Sequence, residues 1–240
     1  MSPVLSFAKL PVAGTPVMGS PDGMRPHHRG RRDGPGEAWR GRAAPAGGPQ
    51  LETPRLVLRL HRGEDFEAVH ALAAAPAMWT YSERGPMAPE ESWARLLRHA
   101  GQWSLRGCGM FAIEEKATGE LVGEAGFTDF RRGLGPDFDA FPEASWTIRP
   151  DRQGLGYATE AAAAAHAWLA RSRGAARTVC LIHAENLASR CVAAKLGYEA
   201  FRSLEYRGYP ALLLQQDQGR AASWCSWGEH GAAPERVPPR

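Results

Sequence analysis

The sequence predicts an α+β protein, one mixed sheet with helices packed on it. Three observations carry that prediction. Between Leu51 and Gln216, short apolar or β-branched runs alternate with segments of helical periodicity. A glycine-bearing loop around Gly154 and Gly156 links one such run to an alanine-dominated helix, and alanine is the best helix former. Outside these limits the chain loses all period. Residues 1–50 are rich in Gly, Pro, Arg and Ala, and the end after Gln216 in Gly, Ser, Arg and Pro. The 240 residues are therefore read as a basic disordered leader (1–50), one domain (51–216) and a disordered tail (217–240).

The domain opens on Leu51-Glu52-Thr53-Pro54-Arg55-Leu56-Val57-Leu58-Arg59. Leu56, Leu58 and Leu60 alternate with Val57 and Arg59, the pattern of a strand with one buried face. From Glu64 to Ala74, Phe66, Val69, Leu72 and Ala73 recur at helical spacing. Pro89–Leu105 is a second amphipathic helix, with proline in its first turn and two glutamates at its positive end. Met110–Glu115 and Leu121–Phe127 form a hairpin across Lys116–Glu120. Gly133, Gly135 and Pro136 mark a loop, and Glu143–Ile148 is the next strand, stopped by Pro150. The alanine helix runs from Tyr157 to about Ser172. Thr178–Ile182 is a buried strand, and a helix from about Ala188 to Leu196 ends at Gly197, where a left-handed residue is expected. Tyr198–Leu214 closes the sheet as a hairpin, with Gly208-Tyr209-Pro210 in or beside its turn.

Composition removes several classes. Hydrophobic content is 43%, ordinary for a globular protein, and no run of about 20 strongly apolar residues suggests a membrane span. The start lacks a basic segment followed by an apolar core, so no signal peptide is expected. Cys108, Cys180, Cys191 and Cys225 show no C-x-x-C spacing and are read as reduced thiols of a cytoplasmic protein. His27-His28 has no cysteine nearby, and no metal site is expected. Of the net charge of +3, residues 1–50 hold seven basic and three acidic residues, which leaves the rest near neutral. That arm is read as a solvated leader rather than a nucleic-acid contact.

The loop carries the chemistry. Glycines at 154 and 156 let the backbone turn sharply and approach a ligand without a Cβ in the way. The first amides of the following helix have no partner inside it and carry the positive end of its dipole, so this corner suits a phosphate or pyrophosphate. Gln153, Gly156 and Ala158 fill the pattern Q/R-x-x-G-x-G/A, which resembles the acyl-CoA pyrophosphate loop of the GNAT N-acetyltransferases. The opening T-P-R-L-x-L-R and the Thr159-Glu160-Ala161 that follows the loop resemble the branch acetylating ribosomal-protein N-termini.

The resemblance implies a GNAT-like, mostly antiparallel sheet splayed at its centre, with helices on both faces. It implies that backbone amides of Gly154, Leu155, Gly156, Tyr157 and Ala158, with Gln153, hold the pyrophosphate of acetyl-CoA, the co-substrate. The edge of Trp146, Thr147 and Ile148 would pair with the pantetheine arm, its amides also forming an oxyanion hole. Asn186-Leu187-Ala188-Ser189, followed by Lys195-Leu196-Gly197-Tyr198, resembles a second family segment. It implies that Asn186 bonds pantetheine and that Ser189 lies near the sulfur, able to protonate the leaving thiolate. Both residue types also cap helices. Many family members place a tyrosine acid on this helix, but here Ala193 and Ala194 stand in that region.

For the base, Glu143 lies in a segment similar to the family's E-x-G-aromatic element, with Ser145 in place of glycine. The bland alternative is a solvated charge at a strand edge. Glu124 is a rival that needs a partner if it points inward. His166 reads as structural, and His183 ends a strand from which it could reach the cleft. The reading is thus an N-acetyltransferase in which a primary amine, on a protein N-terminus or a small molecule, attacks acetyl-CoA directly in a ternary complex. A catalytically weak acyl-CoA-binding module is the alternative. A nucleotide-binding protein is disfavoured, because the loop lacks both G-K-[ST] and G-x-G-x-x-G spacing. The protein is expected to be a monomer or homodimer, with no membrane or nucleic-acid partner.

Overall fold

The computed structural model describes residues 48–82 and 84–217. Most of the 1–50 leader and the 217–240 tail, with Cys225, Trp224 and Trp227, lies outside them. Eight strands form one open sheet: β1 (Leu51–Glu52), β2 (Leu56–Arg59), β3 (Met110–Glu115), β4 (Leu121–Thr128), β5 (Glu143–Ile148), β6 (Arg177–His183), β7 (Glu199–Tyr206) and β8 (Tyr209–Asp217). Their spatial order is β1-β2-β3-β4-β5-β6-β8-β7. Every adjacent pair is antiparallel except β5 and β6. Five α-helices join them: α1 (Phe66–Ala74), α2 (Pro89–Arg106), α3 (Pro136–Asp139), α4 (Tyr157–Arg173) and α5 (Leu187–Lys195).

The helices cover both faces. Adjacent residues of β4 point opposite ways, as the pleat requires. Glu124 reaches Arg95 and His99 of α2, while Phe127 meets His166 of α4 edge to face with ring centres 4.9 Å apart. Alanines give α4 a low profile: Ala161, Ala162 and Ala165 are fully buried and let its axis approach the sheet. Leu56, Leu58, Phe111, Ile113 and Phe127 fill the core beneath. A buried chain of bonds ties α4 to the distal sheet, running from His166 Nε2 to the Tyr198 hydroxyl (2.8 Å), then Thr178 Oγ1 (2.7 Å) and Gln216 Oε1 (3.1 Å).

The structure departs from the sequence reading in four places. The opening segment is two short strands, not one. Thr53 bonds Leu56 through both amide and hydroxyl, turning the chain at Pro54, and Leu60 falls outside β2. A 3₁₀ turn over Gly63–Asp65 precedes α1, so the α-helix starts two residues later than the spacing suggested. The Gly133–Pro136 loop leads at its proline into the one-turn helix α3, which buries Phe138. The closing hairpin turns at Arg207-Gly208, both at positive φ (52° and 86°), so Tyr209 and Pro210 already belong to β8.

Candidate active site

The parallel pair at the middle of the sheet scarcely pairs at all. Glu143 opposite Val179 is its single register position, with Val179 N–H donating to Pro142 O at 3.0 Å. Beyond it the strands part, and a cavity of about 300 Å³ occupies the opening, the size of a small-ligand site. Ala144, Ser145 and Trp146 of β5 form one wall, and Cys180 to His183 of β6 the other. Asn186, the cap of α5, and Ser189 of α5 also line it. Met78, Tyr81 and Ser82, from the segment between α1 and α2, complete the lining with Arg132, Glu143 and Tyr209.

At the outer end of β5 the chain makes a 3₁₀ turn over Pro150–Arg152 and enters α4 through Gln153–Gly156. Gly154 and Gly156 sit at φ +77° and +83°, a region L side chains rarely adopt. A Cβ at Gly154 would meet nothing within 4 Å, so the loop faces open space. Among the described residues, none of the amides from Gly154 to Ala158 is paired with a protein acceptor. Gln153 is exposed, and its Nε2 donates to Ile148 O at 2.9 Å, fastening the loop to the strand.

The two family-like motifs at the domain's start and at α4 touch. Thr53 Oγ1 donates to Glu160 Oε1 (2.7 Å), and Arg55 Nε and Nη2 clasp Glu160 Oε2 (2.7 and 2.6 Å). Arg55 Nη1 also donates to Leu155 O at 2.9 Å. Burial would raise the Glu160 carboxyl, but the Thr53 and Arg55 bonds hold it below the ordinary value. It stays an anion in the first turn of α4, where the helix dipole favours one, and it anchors Arg55 beside the loop.

Of the residues singled out from the sequence, Glu143, Trp146, Asn186 and Ser189 meet at the cavity. Thr147 and Ile148 continue β5 toward the loop, Ile148 being buried. Asn186 caps α5, its Oδ1 accepting from Ser189 N–H at 3.0 Å, which leaves its side-chain amide group for another partner. Ser189 is half-buried. The solvated reading of Glu143 is wrong. The residue is 5% exposed, and Arg132 grips it through Nε and Nη2, both at 2.7 Å. Burial pushes its carboxyl above the ordinary value, with Arg132 pulling the other way. Arg132 is itself fixed by the Tyr206 hydroxyl (2.9 Å) and the Phe130 ring.

The remaining titratable candidates divide cleanly. His183 lines the cavity, stacked on Tyr209 with centroids 5.3 Å apart. His166 lies in the core, lowered to about 4 by burial. Glu124 is fully buried and away from the cavity lining, with His61, Arg95 and His99 around it. Burial alone would raise it; Arg95 and His61 outweigh that and hold it well below the carboxylate range. Ala193 is fully buried in the core, Ala194 is exposed, and neither lines the cavity.

Sequence reasoning missed Arg132, Tyr81 and Tyr209. Each comes from a loop or hairpin end that folding alone brings to the cavity. Arg132 had one usable signal: a buried strand-start glutamate needs a cation.

The comparisons with known proteins agree with this geometry. A family model described as an acetyltransferase (GNAT) domain matches residues 55–199. A Bordetella pertussis protein described as a GNAT-family acetyltransferase is 35% identical, covering 70% of this chain and 99% of its own, with a TM-score of 0.63. An Agrobacterium tumefaciens acetyltransferase is 27% identical over 70% of this chain and 94% of its own (TM-score 0.59). RimL, a ribosomal L7/L12 alpha-N-protein acetyltransferase solved with coenzyme A, shares the fold at 19% identity, over 70% and 98% of the two chains (TM-score 0.59). A corner of amides without protein acceptors, a parted β5–β6 pair and these matches give one result: the chain belongs to the GNAT acetyltransferases and is an acetyl-CoA-dependent acetyltransferase.

Proposed function

We propose that the protein transfers the acetyl group of acetyl-CoA to a primary amine by direct attack in a ternary complex. The observation that carries this is the continuity of the site. Amides without protein partners begin α4, the strand edge of Trp146, Thr147 and Ile148 leads inward from them, and the cavity with Asn186 and Ser189 follows. A molecule with a pyrophosphate at one end and a thioester at the other fits that order.

In this reading the loop from Gln153 to Ala158 takes the pyrophosphate, the free edge of β5 takes the pantetheine amides, and Asn186 donates to the arm. The β5 amides polarise the thioester carbonyl. Glu143, with its carboxyl raised by burial, receives the ammonium proton directly or through water, and Ser189 returns a proton to the departing thiolate. Arg132 holds Glu143 in place. The acceptor enters beside Tyr81 and Tyr209. A protein N-terminus or a small amine both suit an opening of this size. The shared T-P-R and T-E-A motifs, whose side chains meet at Glu160, favour the protein N-terminus.

The test is acetyl-CoA turnover, read as free thiol, against a panel of peptides and small amines, with the acetylated product identified by mass. Amine-dependent thiol release is expected, with N-terminal peptides preferred. Melting stabilised by acetyl-CoA with no release for any amine would leave only an acyl-CoA-binding module.

A further inference from the structure

Beneath α2 the fold assembles a set of donor atoms that acetyl transfer does not use. His61 follows β2, His99 lies on α2 and Glu124 on β4, 63 residues beyond His61 in sequence. Their side chains are 1%, 4% and 0% exposed. His61 Nε2 lies 2.9 Å from Glu124 Oε1, and His99 Nε2 lies 3.5 Å from the same oxygen. The three donor atoms all fall within 4.8 Å of one another.

A hydrogen bond joins His61 Nε2 to Glu124 Oε1, but it accounts for only part of this arrangement. His99 has neither ring nitrogen bonded, although both are buried, and Nδ1 of His61 is also without a partner. Buried polar atoms are nearly always satisfied, and leaving one bare costs stability. A four-coordinate zinc with bonds of about 2.0–2.1 Å spaces its donors about 3.4 Å apart. The two measured separations bracket that value. Two neutral imidazoles and a carboxylate are also a common zinc donor set, with one position left for water.

We propose that His61, His99 and Glu124 bind a divalent transition-metal ion of the zinc class through His61 Nε2, His99 Nε2 and Glu124 Oε1. The site lies apart from the acetyl-transfer cavity and joins α2, on the acceptor side, to β4 and the segment after β2. Arg95 governs its affinity. Its guanidinium is bonded to the other Glu124 oxygen and is the partly exposed member of the cluster, at 18%. It leaves Oε1 free for a metal, yet its positive charge opposes a dication. Neither imidazole has an outer partner on Nδ1, and such partners are typically worth 10–100-fold in metal affinity, so the site binds less tightly than a fully supported one.

The experiment titrates Co²⁺, then Zn²⁺, into chelator-stripped, tag-free, full-length protein. Binding is read from the visible absorption of cobalt and from calorimetry, and folding from circular dichroism and a cooperative melt, so that the outcome does not depend on acetyl-CoA. One Co²⁺ per chain is expected, with the intense bands of four-coordinate cobalt, displaced by Zn²⁺. His99→Gln and Glu124→Gln each weaken binding by more than about 100-fold, beyond the effect of an outer-shell change. Replacing His27 and His28 by glutamine changes nothing. Arg95→Gln strips Glu124 of its counter-ion, so that variant melts lower without metal, binds metal more tightly, and gains more in melting temperature when it is added. Six-coordinate cobalt bands or no binding in the wild-type chain would overturn the proposal even if the ligand variants fail to fold. So would unchanged affinity in folded His99→Gln and Glu124→Gln proteins.

Discussion

Replacing Gly156 with aspartate separates the effect of the loop on coenzyme from its effect on folding. The free protein should change little. A non-glycine residue in left-handed backbone costs about 1–2 kcal/mol, and aspartate tolerates that region better than most. An acid at the N-terminus of α4 returns about 0.3–1 kcal/mol. The net is near 1 kcal/mol, or about 2–4 °C in melting temperature for a domain of this size. Coenzyme binding should change far more. A carboxylate about 5 Å from a doubly charged diphosphate is repelled by about 2–7 kcal/mol, taking a dielectric constant between about 80 and 20. It would also compete for Arg55, whose Nη2 lies 3.4 Å from the position of the new Cβ. At about 100 Kd, acetyl-CoA stabilises the wild type by about 2.7 kcal/mol, about 5–10 °C. Even the smallest repulsion weakens binding about 30-fold, and at the same concentration the shift falls below about 3 °C. Gly156→Asn imposes the same backbone demand without the charge and should keep most of the shift. An aspartate variant with the full wild-type shift would refute the loop assignment.

Three further outcomes are expected. Ser189→Ala should lower turnover about 10²-fold or more while leaving the acetyl-CoA melting shift nearly intact; equal turnover would remove its acid role. Ala193→Tyr, which would install the missing tyrosine, should instead destabilise the fold by about 1–3 kcal/mol through overpacking, because Ala193 is fully buried; a stable, faster enzyme would contradict the packing. His166 and His99 are lowered by burial to about 4 and about 3, so the unfolded chain takes up their protons first as pH falls below about 6.5. Stability should therefore drop by about 2 kcal/mol per histidine between pH 6.5 and 5. His166→Gln should flatten that slope by one histidine's share whatever its absolute stability, and an unchanged slope would show that His166 charges freely in the folded state.

The elements proposed to hold the coenzyme are local in sequence, and this is why they could be read. The strand at Glu143–Ile148, the glycine loop and the alanine helix follow one another, and their period, proline and glycines each belong to a single stretch of chain. The Asn186 cap and the Gly197 stop are equally local, and the structure has both. What escaped depends on pairs distant in sequence. Arg132 finds Glu143 only after β4 and β5 align antiparallel, and Tyr209 reaches the cavity because β8 inserts between β6 and β7. The grip of Thr53 and Arg55 on Glu160 spans more than 100 residues, and so does the logic joining two motifs that sequence presents as separate. The short helix α3 was hidden by the glycines and proline around it, which mark a loop equally well.

A crystal structure of the protein with coenzyme A would show where the coenzyme lies. Pyrophosphate oxygens should lie within hydrogen-bond distance of the amides between Gly154 and Ala158, and the pantetheine arm between β5 and β6 with its thiol near Ser189. Coenzyme bound elsewhere, or a pantetheine arm that avoids the gap between those strands, would contradict that arrangement.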